Sequence, residues 1–162
     1  VETLNRGDAV GYTLYLYHEG FRFTRDPAEV GDYLDRMVAL AGDTPVAVVE
    51  TGWNTAPELE SSEDKQAEYV RQVLAALAER GDRIRFLTWF MLHDSTRDAC
   101  HEQGRSFFPP GAEPEADEME TFTIFLCDLG LRRSDGTPKA GWQVWVEGAE
   151  AWLKSNEQDS QD

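Results

Sequence analysis

One carboxylate in this chain stands where a parallel sheet places its chemistry. The segment Pro45-Val46-Ala47-Val48-Val49-Glu50-Thr51-Gly52-Trp53-Asn54 opens with small or β-branched uncharged residues, then gives an acid, a glycine and an indole. A continuous apolar run of that length reads as a strand buried on both faces, as in a parallel sheet covered by helices, and such sheets carry reactive groups where their strands end. Glu50 is at such an end. Trp53 follows in the adjoining loop, Trp89 lies near the end of the next apolar run, and Tyr15 and Tyr17 share one face near the end of the preceding one. Flat rings beside a carboxylate suit sugars, whose axial C–H groups stack on π faces while their hydroxyls need polar partners.

The elements that must position these groups alternate strand and helix three times. Asp8 to Tyr17 is rich in β-formers and ends in a polar loop, so it reads as the first strand. Asp26-Pro27-Ala28-Glu29 then predicts a helix start: an acceptor at the cap, Pro in the first turn and Glu three residues after the Asp. Val30, Tyr33, Leu34, Met37, Val38 and Ala41 recur at a helical period, with Gly42 as the stop. The second unit is Pro45 to Val49, then a helix from Ser61 or Ser62 to Arg80-Gly81. The third strand is Ile84 to Leu92.

After it comes a long excursion, His93 to about Glu120, with Phe107-Phe108-Pro109-Pro110-Gly111 and an acidic run from Glu113. It reads as a solvated acidic loop, one part of which can fold over the strand ends. A short helix is expected over Thr121 to Leu129. Thr137-Pro138 opens a last one, whose Trp142, Trp145, Val146, Ala149, Trp152 and Leu153 form a core-facing stripe. Residues 1–154 thus read as one domain portion and 155–162 as a disordered polar tail.

Composition excludes several classes. A net charge of −16 without clustered Lys or Arg argues against nucleic acid or an anionic membrane as partner. No apolar run approaches the ~20 residues of a membrane span, and the opening Val1-Glu2-Thr3-Leu4-Asn5-Arg6 reads as a cut end. Cys100 and Cys127 pair if the protein is secreted or stay free in a reducing compartment; the sequence leaves both open, and with them the localisation. His93, Asp94, Asp98, Cys100, His101 and Glu102 lack the spacing of a metal site, so no metal and no cofactor is expected.

Alternating strands and amphipathic helices require a parallel sheet with right-handed crossovers. Three strands fit either a small open α/β sheet or three consecutive units of a barrel. No Gly-rich phosphate fingerprint follows any strand, which removes the main reason to prefer a nucleotide-binding sheet.

Val48-Val49-Glu50-Thr51-Gly52-Trp53, Thr88-Trp89-Phe90, Leu129-Gly130-Leu131-Arg132 and Asp135-Gly136-Thr137-Pro138-Lys139 together resemble the C-terminal half of a (β/α)8-barrel glycoside hydrolase of the large retaining clan. The resemblance covers nearly the whole chain and implies a partial TIM barrel, strands six to eight with their helices. It implies that Glu50 is the nucleophile of a retaining reaction on an oligo- or polysaccharide, that Tyr15 or Tyr17 donates a hydrogen bond to it, and that Trp89 floors the sugar subsite. Trp53 is expected on the same rim.

The clan's acid/base is a Glu after an Asn at the fourth strand, and no Asn-Glu pair stands at a strand end in this sequence. At 162 residues the chain is also short of the ~250 of a closed barrel. Half a catalytic pair is therefore expected, with Asp94 or Glu19 as the only local substitutes on the rim. Open sheet edges would then seek the missing N-terminal half barrel or a second copy of the chain. A non-catalytic carbohydrate-binding or interaction protein is the rival reading. An esterase is disfavoured because no Gly-x-Ser-x-Gly turn occurs.

Overall fold

Three parallel strands, β1 (Val10–Leu14), β2 (Val46–Thr51) and β3 (Ile84–Trp89), form one sheet in the order β1-β2-β3. The structure is a computed structural model describing residues 7–112 and 114–159, with side chains as far as residue 151. The strand most apolar in sequence, β2, is central, and both its neighbours are reached through a helix. The fold class is α/β, as the alternation predicts.

Helix α1 (Val30–Ala41) begins as its sequence dictates. Asp26 accepts from the Ala28 amide at 2.9 Å while Glu29 accepts from the Asp26 amide at 3.3 Å, so two orphan donors are satisfied reciprocally. Gly42, at φ 64°, ends it. Helix α2 (Glu63–Arg80) is capped by Ser62, which accepts from the Lys65 amide at 3.2 Å. The apolar stripes of α1 and α2, Val30, Leu34 and Met37 with Tyr69, Val70 and Val73, close over Val10, Leu14, Val46, Val48, Ile84 and Trp89 on one face of the sheet. Burial of side chains of this size contributes about 1.5–3 kcal/mol each.

The other face is not closed. Gly11, Thr13, Val49 and Thr88 are exposed, and Val49 alone retains 46% of its surface. This corrects the expectation of a central strand buried on both sides: an apolar run specifies a strand that can be covered twice, but among the described residues helices cover only one side.

The excursion after β3 is a second correction. Instead of a solvated loop it forms α3 (Arg97–Ser106) and α4 (Ala116–Cys127), the latter beginning five residues before the expected Thr121. Thr96 caps α3 by accepting from the Ala99 amide at 3.4 Å. Asp117 and Glu118 occupy the first turn of α4, where a negative charge meets the positive end of the helix dipole. From Ala116 on, the acidic run is thus a helix start rather than a loop. Cys100 and Cys127 are joined by a disulfide, both buried, tying α3 to the end of α4 with Cα atoms 5.5 Å apart. Helix α5 (Ala140–Asp159) packs along α2, with Trp142 and Trp145 half-buried against the core. The side chains of Trp152 and Leu153 and residues 160–162 of the expected tail lie outside the described residues; the backbone is helical through Asp159.

Candidate active site

Glu50 is placed by an irregularity in β2. Tyr12 pairs with Val48 but Thr13 pairs with Glu50, so Val49 is the extra residue of a bulge and Glu50 turns toward the open face beside β1. The next residue locks that exit. Thr51 donates through Oγ1 to the Leu14 carbonyl at 2.7 Å and shares a 2.7 Å hydrogen bond with the Tyr69 hydroxyl, all in the buried interior. Gly52 follows, where a Cβ would come within 3.2 Å of the Tyr15 ring and 3.3 Å of Leu129. A side chain there would push the Tyr15 ring and Leu129 outward by a few tenths of an ångström.

Tyr15, one residue beyond β1, donates from its hydroxyl to Glu50 Oε1 at 2.7 Å. Burial, then the hydrogen bond and the charge of Glu50, push this phenol far above its ordinary range. It therefore remains a protonated donor at every ordinary pH. Beside the pair is a cavity of about 280 Å³ lined by Thr13, Tyr15, Tyr17, Glu50, Phe90 and, from the segments folded over the strand ends, Phe21, Phe107, Phe122, Phe125 and Leu126. Among the described residues Glu50 is the only carboxylate in that lining. No group of three or more His, Cys, Asp or Glu among them could hold a metal ion.

The expected site residues divide. Tyr15, Tyr17 and Glu50 meet at the cavity, and the hydrogen bond comes from Tyr15. Trp53 does not reach it. Its indole is fully buried between Phe23 and Tyr69, with ring centroids 5.0 and 4.9 Å away, and its N–H donates to Ser61 Oγ at 2.8 Å. It anchors the loop after β2 because a side chain two residues past a strand end can turn back under the sheet as readily as outward. Trp89 is also on the helix-covered face. Its N–H donates to the Leu129 carbonyl at 2.9 Å, and its ring sits 6.1 Å from Tyr69 and 5.7 Å from Trp145. Strand alternation gives the open face to its neighbour Phe90, which lines the cavity instead.

Neither local substitute for a general acid lines the cavity. Asp94 is consumed by a buried ion pair: Lys139 donates to its Oδ1 at 2.7 Å, and the Gly130 amide donates to the same oxygen at 2.9 Å. Glu19 lines a different depression with His18, Arg22 and Glu60.

Several residues that build the site were not legible as such. Asn54, fully buried, donates from Nδ2 to the carbonyls of Ile124 and Phe125 at 3.0 and 2.9 Å and accepts from the Ala56 amide at 2.7 Å. It docks the end of α4, and so the Phe125 ring, onto the exit of β2. The sequence signal for that wall was Phe122 and Phe125 at helical spacing, which by itself reads as ordinary core.

No protein-family model matches the sequence, and no curated protein matches it. Solved structures do. The GH2 β-galacturonidase of Eisenbergiella tayi is similar over 91% of this chain and 24% of its own, at 15% identity and a TM-score of 0.58. GH5_18 of Streptomyces cattleya, solved with GlcNAc, is similar over 93% of this chain and 32% of its own, at 20% identity and 0.60. The β-1,3-glucanosyltransferase of Rhizomucor miehei, solved with laminaritriose, is similar over 83% and 42%, at 19% identity and 0.51. The chain spans about a quarter to two fifths of the length of these proteins. What this likeness establishes is a fold: an α/β arrangement shared with glycoside hydrolases and a related glucanosyltransferase.

Proposed function

We propose that the chain belongs to a retaining glycoside hydrolase, that its strands are the sixth to eighth of a (β/α)8 barrel, and that Glu50 is the nucleophile. The observation that carries this is the Tyr15 hydroxyl at 2.7 Å from Glu50 Oε1, at the C-terminal ends of two parallel strands beside an aromatic cavity. Tyr15 holds one carboxylate oxygen and leaves the other for attack. An oxygen of Glu50 forms a bond to the anomeric carbon while the bond to the leaving oxygen breaks, that oxygen taking a proton from a second carboxylic acid about 5.5 Å away. The second group then draws a proton from water, which attacks the anomeric carbon and releases Glu50.

The second carboxylate is supplied from outside the cavity lining described above. The partial coverage of the matched hydrolases supports this, as does the sheet itself. The outer edges of β1 and β3 have no strand partner among the described residues, Phe86 on β3 is 50% exposed, and an apolar cleft of about 220 Å³ runs beside it between Leu74, Leu87 and Trp145. An N-terminal half barrel would cover both edges and the open face; a second copy of the chain is the other candidate cover.

The test is intact-mass measurement after incubation with 2-deoxy-2-fluoro glycosides carrying activated leaving groups, in several sugar configurations. An adduct mapped to Glu50 is expected, because an activated leaving group departs without much help from an acid. A folded chain that takes no adduct, alone or with its complementing half, overturns the assignment. The lack of a second carboxylate in the cavity lining favours one rival, a carbohydrate-binding or interaction protein built on the same fold. Saccharide binding with no turnover in either the native chain or Glu50→Gln is its signature.

A further inference from the structure

We infer that the α3–α4 side of the Glu50 cavity is an apolar subsite, and that the substrate is a glycoside whose aglycone is an apolar ring or chain rather than a further sugar. This rests on the reading of Glu50 as a glycosidase nucleophile. The cavity is polarised by origin. Each side chain in its lining that can make a hydrogen bond, Thr13, Tyr15, Tyr17 and Glu50, comes from a strand or its exit, whereas the α3–α4 side contributes only Phe107, which caps the end of α3, and Phe122, Phe125 and Leu126 of α4.

The rings form a track that starts at the nucleophile and ends in solvent. Tyr15, bonded to Glu50, lies 5.7 Å from Phe125 edge-on; Phe125 lies 6.1 Å from Phe122 in a near-parallel arrangement; Phe122 lies 5.6 Å from Phe107, which is 63% exposed. A sugar at the outer end would lose water from its hydroxyls and find no side-chain partner in this lining, which costs free energy for each unpaired group. An apolar group there gains burial without that loss, while the sugar at the inner end meets the phenols and the carboxylate. The wall is held in place by features independent of a ligand: the Asn54 hydrogen bonds at the end of α4 and the Cys100–Cys127 disulfide between the two helices.

The experiment is calorimetric titration of the full chain with methyl and phenyl glycosides of the same sugar, across several configurations, repeated with Phe107→Ser, whose exposed ring can be lost without unfolding the protein. For the sugar that binds, the phenyl glycoside is expected about tenfold tighter than the methyl one, and Phe107→Ser is expected to remove most of that difference by weakening the phenyl glycoside far more than the methyl one. Equal affinities overturn the subsite yet leave the glycosidase reading standing. A phenyl preference that survives both Phe107→Ser and Phe122→Ser overturns the placement on α3–α4, and binding of neither glycoside overturns the proposal outright. A phenyl preference that Phe107→Ser removes, in a chain that takes no fluoroglycoside adduct at Glu50, keeps the apolar subsite and removes the nucleophile.

Discussion

Glu50 stands near the C-terminal end of a parallel strand and Asp94 just beyond another, and each is partly withdrawn from water, but their partners differ in kind. Glu50 accepts one hydrogen bond from a neutral phenol and faces a cavity. Asp94 accepts from a cation, Lys139, and from a backbone amide; its side chain keeps 10% of its surface and that of Lys139 keeps 2%. In the second region the negative charge is already matched, and Lys139 also donates to Thr55 Oγ1 at 2.8 Å, so the pair ties the loops after β2 and β3 together. At Gly130, which donates to Asp94, a Cβ would collide with the backbone of His93 and Asp94, so the loop packs too closely for any other residue. In the first region no cation among the described residues pairs with the carboxylate, whose side chain lines the cavity. The two carboxylates differ in whether the fold brings them a counter-charge.

Removing each carboxylate's function should therefore break different properties. The largest effect is expected for Glu50→Gln: labelling by the fluoroglycoside that modifies the native chain falls by about a thousandfold or more, while stability changes by less than about 1 kcal/mol. Mass spectrometry and thermal unfolding read the two sides, and a Glu50→Gln chain that still labels at the native rate would dissolve the contrast. Lys139→Met reverses the pattern. It leaves Asp94 buried without its cation and should cost about 3–5 kcal/mol in denaturant unfolding.

Tyr15→Phe sharpens the comparison from the other side. The ring stays packed against Phe125, but Glu50 loses a hydrogen bond to a charged acceptor, a loss of about 1.5–3 kcal/mol that should slow labelling by roughly ten- to hundredfold without unfolding the chain. A labelling rate unchanged in Tyr15→Phe would show that the phenol does not orient the carboxylate.

The smallest effect is a pH dependence. Burial above all holds both Tyr15 and Tyr69 protonated well beyond the ordinary phenol value near 10. The unfolded chain loses those protons as pH passes about 10 whereas the folded chain keeps them, so stability is full below that pH and falls above it, by at most ~1.4 kcal/mol per pH unit for each phenol. Urea unfolding between pH 8 and 11 should show the decline, and Tyr15→Phe should make it shallower. A decline just as steep in that variant would assign it to other groups.

Much of the frame was legible in the residues. Asp26, Ser62, Gly42 and Gly81 mark helix ends through local chemistry, and Val46 to Val48 mark a strand, because capping and strand formation depend on neighbours in the chain. Within the candidate site, Glu50 and Tyr15 were legible for the same reason: a strand end is a local feature, and the face shared by Tyr15 and Tyr17 follows from alternation. The helices between residues 97 and 127 were less so. Their acidic residues and the Pro109-Pro110-Gly111 between them match a loop equally well, and what stabilises them is the buried contact of Cys100, Ile124 and Phe125 with distant residues.

The amino-acid sequence by itself determined where the strands and most helix ends lie, which carboxylate stands at the end of the most apolar strand, and that the chain would be acidic and α/β, since each depends on residue type and short-range spacing. Only the tertiary structure decided which side of the sheet each side chain took. It buried Trp53 and Trp89 among the helices, neutralised Asp94 with a lysine 45 residues away, and turned Phe90, Phe107 and Phe122 toward Glu50. The physical reason is that a side chain's direction past a strand end depends on bulges, on the close approach permitted at Gly52 and on long-range hydrogen bonds such as those of Asn54, none of which a linear pattern encodes.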